Sequence, residues 1–413
     1  MTEYKSIITN HKIEKVKLHV NDLQTGMYIC DLDRPWRETP FPVLGFEIDN
    51  NQTIQEVMQY CQYVEIDVDR SRVEDVVINQ LPPGSIFNVN GSSFQLDEIE
   101  TAESLRKQTT NLVNTFWDEI RYGISPDIYL AKSAAQECVA SMLRNPEMMI
   151  FLVQLQSKDG HRGQEAFNSC IYSLLIGHLL NLTHKQLQNL ATSALLHDMG
   201  KVLIPEDILN KTGKLTDEEH SIIRTHSQAG REIILSSGSL SLGTADVAYA
   251  HHENLDGTGY PRGLQGDQLS MFSKIVGVVD KYDAITSTMP YRPARDHFRA
   301  VYILKYLARD KKIDERLCTM LTTYLGVYPP GSIVELTSKE VAIVLNSDPS
   351  RRHQPQILVV RDKHKEPCQR FVDLTEKSVD ENGDTYRIAY MHRTGDFGIY
   401  PNQYFTLILQ SIG

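Results

Sequence analysis

The stretch CIYSLLIGHLLNLTHKQLQNLATSALLHDMGK, from Cys170 to Lys201, decides how the central part of the chain folds. Its apolar residues recur with helical spacing on both sides of a short polar break, NLTHKQ, and this pattern predicts two helices joined by a turn. The second helix runs into His197 and Asp198, and Gly200 is the residue at which we expect it to stop. An apolar helix therefore ends on a His-Asp pair.

The same helical spacing extends from about Leu96 to Val327, for example in NLVNTFWDEI and CVASMLRN. Thr216, followed by Glu219, predicts a capping box at the start of a helix. We therefore predict a central all-α domain over residues 96–329.

Shorter segments flank this helical region. MYICDLD, FPVLGFEI and YVEIDVD are typical of strands and TIQEVMQYCQ of a short helix, so we predict a small N-terminal α/β module over residues 12–80. INQLPPGSIFNVNGSSFQ follows as a linker. After YPPGSIVEL, the segments IVELTS, VAIVLN, PQILVVRD, YRIAYMH and YFTLILQS predict a small β-rich C-terminal appendage over residues 330–413. The expected fold class is multidomain.

The composition limits the classes of function. The 413 residues are 41% apolar and 23% charged, which is ordinary for a globular protein. A net charge of −11 argues against a general DNA or membrane binder, although a local basic cluster can still bind a small anion. No CxxC pair, signal peptide or apolar run long enough to span a bilayer is present. We expect a cytoplasmic protein with free thiols.

Six residues of the helical region form a candidate metal site. They are His197, Asp198, His226, His251, His252 and Asp280. Each follows an apolar helical segment, and such segments direct side chains into a bundle core, where metal sites are often built. Imidazole and carboxylate ligands without thiolate suit iron or manganese better than a structural zinc ion. Six ligands exceed the need of one metal, so we predict a bimetallic centre that polarises a phosphate and activates water.

The stretch HHENLDGTGYP places a kinked loop directly after two of these ligands. Gly257 and Gly259 let the backbone approach a ligand closely, and Pro261 stiffens the turn. The loop therefore presents the phenol of Tyr260 beside the paired histidines.

In order and approximate spacing, HDMGK, KTGKLTDEE, RTHSQAG, HHENLDGTGYP, VDKYDAITS and PYR resemble the HD-GYP family. The resemblance covers roughly residues 153–327, and GMYICDLDRPWRETPF resembles a small module often found ahead of such domains. It implies a helical HD-type domain. It also implies a bacterial signalling phosphodiesterase that hydrolyses cyclic dinucleotides, chiefly cyclic di-GMP, with two or three metal ions.

The resemblance also implies roles for individual residues. The six residues of the candidate site match the family's metal ligands, with Asp198 as the bridging one. Lys201 matches a lysine that contacts the scissile phosphate, so Asp198 and Lys201 form the expected catalytic pair. Tyr260 matches the tyrosine that faces the substrate, and Arg292 falls at a basic position for the other phosphate or a guanine. Asp159 is a further candidate for substrate binding.

Three positions depart from the family pattern. Where the family usually has a His ligand on the first helix, this chain has Glu165. One helical turn earlier, where trimetallic members carry a Glu, it has His161. We expect both to be altered metal ligands, because their spacing puts them on one helix face and Glu can replace His at a hard metal. Met289 replaces the first Arg of Arg-Pro-Tyr-Arg, which affects the choice of substrate more than hydrolysis itself.

The leading hypothesis is hydrolysis of cyclic di-GMP to pGpG and/or GMP. One alternative is a phosphodiesterase that prefers cyclic GMP-AMP. Another is a catalytically weak cyclic-dinucleotide receptor that signals through the outer modules. A homodimer or a regulatory protein partner is left open, as are the number and identity of the metal ions.

Overall fold

A computed structural model describes most of the chain. The described residues are 15–20, 23, 25–34, 39–41, 45–67, 96–155, 162–238, 241–290, 292–346, 354–375, 379, 383 and 385–404. They divide between residues 87 and 88 into two compact units.

The N-terminal unit contains a small antiparallel sheet and one helix. Its strands are β1 (Lys15–His19), β2 (Tyr28–Leu32), β3 (Phe46–Glu47) and β4 (Tyr63–Asp67), in the order β1-β4-β2-β3. Helix α1 (Asn51–Tyr60) lies between β3 and β4 along the chain. Its buried face contributes Val57 to a core with Ile29, Ile48 and Ile66. The predicted small sheet is thus confirmed, and β1 is a strand that the sequence reasoning did not single out.

The second unit begins with the helices that the apolar spacing predicted. They are α2 (Leu96–Arg121), α3 (Ile128–Arg144), α4 (Pro146–Leu155), α5 (Arg162–Leu179), α6 (His184–Leu196), α7 (Glu206–Leu209), α8 (Asp217–Arg224), α9 (His226–Ser236), α10 (Leu242–Ala250), α11 (Met271–Thr286), α12 (His297–Arg309) and α13 (Glu315–Leu325). None of the helices in the described part of the chain combines the length and apolarity needed to cross a bilayer.

Capping boxes begin two helices of this unit, α6 and α8. Thr216 and Glu219 form the predicted capping box, in which each side chain bonds the other residue's backbone N–H, at 3.2 and 2.7 Å. Thr183 and Gln186 cap α6 in the same way. Helix α6 ends at Leu196, and a 3-10 turn (Met199–Leu203) follows, so the α-helix stops before Gly200 rather than at it.

The C-terminal part is a five-stranded antiparallel sheet with the order β8-β7-β6-β5-β9. Its strands are β5 (Ile333–Leu336), β6 (Val341–Asn346), β7 (Gln356–Arg361), β8 (Pro367–Asp373) and β9 (Ile388–His392). Four predicted strands are found here, whereas the segment YFTLILQS lies, apart from Tyr404, outside the described residues. Strand β8 was missed because it lies at the sheet edge, where most of its side chains are exposed and apolar alternation is absent.

Candidate metal centre

Six predicted ligands converge on one point of the helical unit. We call them the Asp198 cluster: His197, Asp198, His226, His251, His252 and Asp280. The first two follow the C-terminal end of α6, and His226 is the first residue of α9. The adjacent histidines follow α10, and Asp280 lies within α11. Four helices therefore deliver ligands that are far apart in the sequence.

One group of ligand atoms forms around Oδ1 of Asp198. This oxygen lies 3.4 Å from Nε2 of His226 and 3.6 Å from Nε2 of His251. Nε2 of His252 lies 3.1 Å from Nε2 of His226. The four ligand atoms lie within 4.8 Å of one another, a size that suits a single metal ion.

A second group forms on the other side of the same carboxylate. Nε2 of His197 lies 3.3 Å from Oδ2 of Asp198 and 3.8 Å from Oδ1 of Asp280. These three residues also offer ligand atoms within 4.8 Å of one another. Asp198 therefore belongs to both groups, as a bridging ligand would.

The helix backbone fixes how three of the histidines present their rings. Each Nδ1 lies close to the carbonyl oxygen three residues earlier, at 2.7 Å for His197, 2.6 Å for His226 and 3.0 Å for His251. A carbonyl oxygen only accepts hydrogen bonds, so Nδ1 carries a proton, and in the neutral ring Nε2 keeps its lone pair. This arrangement is typical of histidines that bind a metal through Nε2.

Two buried atoms of the cluster lack a hydrogen-bond partner. They are Nε2 of His197 and Oδ1 of Asp198, which point into the centre. An unpartnered buried acceptor costs about 1–3 kcal/mol, and a divalent cation between such atoms would remove that cost. The residues present therefore fit a metal ion, by their donor types and by these unpartnered atoms.

Burial and neighbouring charges shift the pKa values of the cluster residues. Burial opposes ionisation of Asp198, but Lys201 and then His197 outweigh it and hold the pKa of that carboxyl well below its usual range. Burial also disfavours charge on His197, yet Asp198 and Asp280 raise the pKa of this imidazole to about 10, so a metal ion that binds Nε2 would displace a proton from it. Burial lowers the pKa of His226 to about 4; Asp198 opposes this effect, whereas His251 and Lys201 add to it. His226 is thus a neutral imidazole at pH 7, the form that binds a metal.

Lys201 lies directly against the centre. Its Nζ donates to Oδ2 of Asp198 at 2.5 Å. Burial opposes its charge, but Asp198, Glu165 and Asp280 raise its pKa above the ordinary lysine value. Lys201 therefore keeps its proton and supplies a fixed positive charge beside the shared carboxylate.

Gly200 lets the two ligand-bearing segments approach each other. A Cβ at this position would lie 2.9 Å from the carbonyl carbon of His226, and nearer still to its oxygen and to the backbone nitrogen of Gly230. A larger residue would separate the 3-10 turn from α9. The glycine of HDMGK is thus needed for the distance between Asp198 and His226.

The GYP loop places Tyr260 beside the cluster. Its ring stacks on His252, with centroids 4.8 Å apart and planes at 25°. Burial raises the pKa of Tyr260 well above its usual value, so its phenol stays protonated. The Tyr260–Pro261 peptide bond is cis. Gly259 packs against Asn254 and Glu253 so closely that a Cβ would collide with their backbone.

Two residues that support this loop were not assigned a role by the sequence reasoning. The carboxylate of Glu253 accepts hydrogen bonds from the backbone N–H groups of Arg262, at 2.7 Å, and Leu264, at 3.1 Å. The guanidinium of Arg224 lies 5.2 Å from the centroid of the Tyr260 ring. Both belong to motifs of the family resemblance, HHENLDGTGYP and RTHSQAG. Glu253 is buried, with only 5% of its surface exposed.

The remaining predicted site residues have different surroundings. Glu165 lines a small cavity with Asp198 and Lys201 but belongs to neither ligand group. Burial raises its pKa, and Lys201 only partly offsets this effect. The guanidinium of Arg292 donates to the carbonyl oxygens of Ala284 and Ile285, at the C-terminal end of α11. Asp159 and His161 lie outside the described residues.

Comparisons with known proteins agree with this geometry. Residues 150–317 match the HD domain family, and residues 15–130 match a family described as a domain of unknown function, DUF3391. The chain is 30% identical to cyclic di-GMP phosphodiesterase PA4108 of Pseudomonas aeruginosa over 385 residues, which cover 90% of this chain and 91% of that protein.

Two further matches are more limited. The 3'3'-cGAMP-specific phosphodiesterase 3 of Vibrio cholerae is 39% identical over 135 residues, which are 33% of this chain and 29% of that protein. The solved structure of Bd1817, a HDG"Y"P protein from Bdellovibrio bacteriovorus, is 13% identical with a TM-score of 0.48. It covers 76% of this chain and 99% of its own.

The similarity to PA4108 extends through the HD domain and most of the flanking regions. The motif residues that prompted the family comparison lie together around one shared carboxylate. This chain therefore belongs to the HD-GYP family of phosphodiesterases.

Proposed function

We propose that this chain hydrolyses cyclic di-GMP, to pGpG and/or GMP, at the Asp198 cluster. The observation that carries the proposal is the position of Asp198, whose carboxylate belongs to both ligand groups and lies against Lys201. The similarity to a cyclic di-GMP phosphodiesterase along nine-tenths of the chain supports the class of substrate.

The cluster would hold two divalent metal ions. Asp198 with His226, His251 and His252 would supply ligands to one, and Asp198 with His197 and Asp280 would supply ligands to the other. The mixed nitrogen and oxygen donors favour iron or manganese. When bound, such ions supply Lewis acidity toward a phosphodiester and an attacking water.

A third ion is proposed for the first helix of the family domain. Its ligands would be Glu165 and His161. The position of Glu165 in the cavity beside Asp198 and Lys201 supports this assignment. Asp159, from the same segment as His161, stays a proposed substrate-binding residue.

The chain's own charges and donors act on the substrate around this centre. Lys201 stabilises the negative charge that develops on the phosphoryl oxygens, because it stays protonated and is held in place by Asp198. Tyr260, a protonated phenol stacked on His252, offers a hydrogen-bond donor and one ring edge to the ligand. Arg292 stays a proposed substrate-binding residue, and its guanidinium also bonds the carbonyl groups at the end of the helix that carries Asp280.

A preference for cyclic GMP-AMP is the second candidate. Met289 stands where the family commonly has an arginine, so one forked hydrogen-bond donor for a guanine edge or a phosphate is missing. Relatives from Vibrio cholerae that are named 3'3'-cGAMP-specific phosphodiesterases match part of the chain. These two facts favour testing both substrates side by side.

The outer regions are proposed to be separate functional parts, a module over residues 12–80 and an appendage over residues 330–413 around the domain at 96–329. We also propose that the protein acts in the cytoplasm, where the thiols of its six free cysteines would stay reduced.

The test is one anaerobic purification with manganese or ferrous iron. Metal ions per chain are counted, and cyclic di-GMP and cyclic GMP-AMP are followed by chromatography in parallel. We expect two or more ions per chain, and turnover that Asp198→Ala abolishes. Tight nucleotide binding without turnover would instead favour the receptor, and absence of both binding and turnover would refute the proposed function.

A further inference from the structure

A small cavity of about 10 Å³, room for about one water molecule, lies beside the shared carboxylate. Its lining includes Asp198, Lys201 and Glu165 together with Arg162 and Trp117. These residues come from α2, the first turn of α5 and the segment that follows α6. Arg162 therefore borders the same space as the expected catalytic pair.

One of the side chains that line the cavity is a guanidinium that lies over an aromatic ring. The Arg162 guanidinium carbon lies 4.3 Å from the centroid of the Trp117 ring. Trp117 itself is 5% exposed, so its ring supports Arg162 and is not an open stacking surface. A guanidinium stacked on an indole has one face covered, while its N–H groups remain in its own plane and can bind a phosphate through two oxygens.

Arg162 is only loosely paired with Glu206. Nη2 of Arg162 lies 4.0 Å from Glu206, but Glu206 is in closer contact with Arg121. Two guanidinium groups thus share this carboxylate, an arrangement in which Arg162 can accept an additional anion.

We infer that Arg162 forms a second anion subsite, which binds the phosphate that is not being cleaved. The inference rests on the proposed function, since a cyclic dinucleotide carries two phosphates and only one can lie at Asp198 and Lys201. Arg292, the residue expected to serve the second phosphate, is engaged with backbone carbonyl groups. Arg162 is the specificity-determining residue, and Trp117 positions it.

The subsite also gives a role to sequence outside the HD domain. Trp117 belongs to α2, within the match to the domain of unknown function over residues 15–130 and before the HD match at 150–317. Helix α2 of that matched region therefore lines the cavity beside the shared carboxylate.

The test compares two substrates that differ in the number of phosphates. Cyclic di-GMP has two, and bis(p-nitrophenyl) phosphate has one. For Arg162→Ala in the manganese-loaded full chain, we expect the ratio of kcat/KM for cyclic di-GMP to that for bis(p-nitrophenyl) phosphate to fall about 10- to 100-fold, the usual effect of losing hydrogen bonds to a charged group. We expect Arg162→Lys to lose most of this ratio too, because an ammonium cannot form the fork.

Arg309→Ala is the matched control. The Arg309 guanidinium carbon lies 5.1 Å from the centroid of the Tyr306 ring, and Arg309 is not part of the cavity lining, so the ratio should stay within threefold of the wild-type value. An unchanged ratio in Arg162→Ala, with metal content and Tm preserved, would overturn the inference. So would an equal loss in Arg309→Ala.

A binding measurement separates this inference from the proposed function. The Kd of cyclic di-GMP is measured by calorimetry for the wild type and for Arg162→Ala. Wild-type binding without turnover, weakened at least tenfold by Arg162→Ala, would reject hydrolysis and support the subsite. Absence of wild-type binding would reject both.

Discussion

Gly200→Ala tests whether the metal centre depends on the close approach of two backbone segments. The added Cβ would lie 2.9 Å from the His226 carbonyl carbon, against 3.4 Å or more in ordinary contacts, and nearer still to the oxygen. The start of α9 would have to retreat by about 1 Å, since packed backbone does not compress. Nε2 of His226, now 3.4 Å from Oδ1 of Asp198, would move with it.

Two consequences follow from this displacement. A misplacement of about 1 Å at a catalytic group costs about 100-fold in rate, so we expect kcat/KM to fall by that order. Overpacking costs about 1–3 kcal/mol, which corresponds to a Tm lower by about 2–10 °C. We also expect fewer metal ions per chain, because His226 is displaced from its group while the second group, with His197 and Asp280, is less affected.

The assay combines metal counting, kcat/KM for cyclic di-GMP and thermal unfolding on the same preparations. Gly213→Ala is the control, because a Cβ at Gly213 meets nothing within 4 Å and the residue belongs to the loop before α8. Its activity and metal content should match the wild type. If Gly200→Ala also keeps wild-type metal content, activity and Tm, then the close approach does not determine the geometry of the centre.

Three other predictions can be checked with simple measurements. Removal of metal with a chelator should lower Tm, because an ion present at about 1,000 times its Kd stabilises the folded state by about 4 kcal/mol. Added manganese should restore the Tm. A Tm that does not change with chelator would argue against a filled site. Glu253→Gln places an amide donor against the N–H groups of Arg262 and Leu264, so kcat/KM should fall as the GYP loop shifts, whereas Asp256→Asn at the loop surface serves for comparison. Burial acts to raise the pKa of Glu335, but Lys365 and His392 outweigh burial, so the pKa is lowered. The ion pairs of Glu335 therefore stabilise the sheet at pH values above the ordinary Glu pKa. This contribution is lost as the pH falls through the lower pKa of the folded state. Glu335→Gln should therefore reduce Tm at pH 7 and have little effect in acid, and an equal reduction at both pH values would contradict this reasoning.

The sequence by itself determined which segments are helices and which residues can bind metal. The spacing of the apolar residues follows the 3.6-residue period of the helix. This spacing involves only residues three or four positions apart, so it can be recognised in the sequence alone. The same holds for the capping box at Thr216, whose two partners lie three residues apart. Ligand chemistry is also a property of residue type, so a set of four histidines and two aspartates indicated a metal site before any geometry was known.

Local patterns were insufficient where a contact depended on a distant neighbour. Strand β8 is paired through backbone atoms at a sheet edge, so its side chains carry little apolar signal. Arg292 follows a family motif, yet its guanidinium bonds the carbonyl groups that end α11. No spacing rule could specify that partner, because the free carbonyl groups depend on where the helix stops.

The tertiary structure decided how the predicted residues are combined. It places Oδ1 and Oδ2 of Asp198 between two ligand groups from four helices, and it packs Arg162 over Trp117 in the lining of the adjacent cavity. These relations arise from the packing of helices, which depends on the complementary shape of side chains far apart in the chain. The sequence supplied the donors and the charges, and the packing set the distances at which they can act together on one ligand.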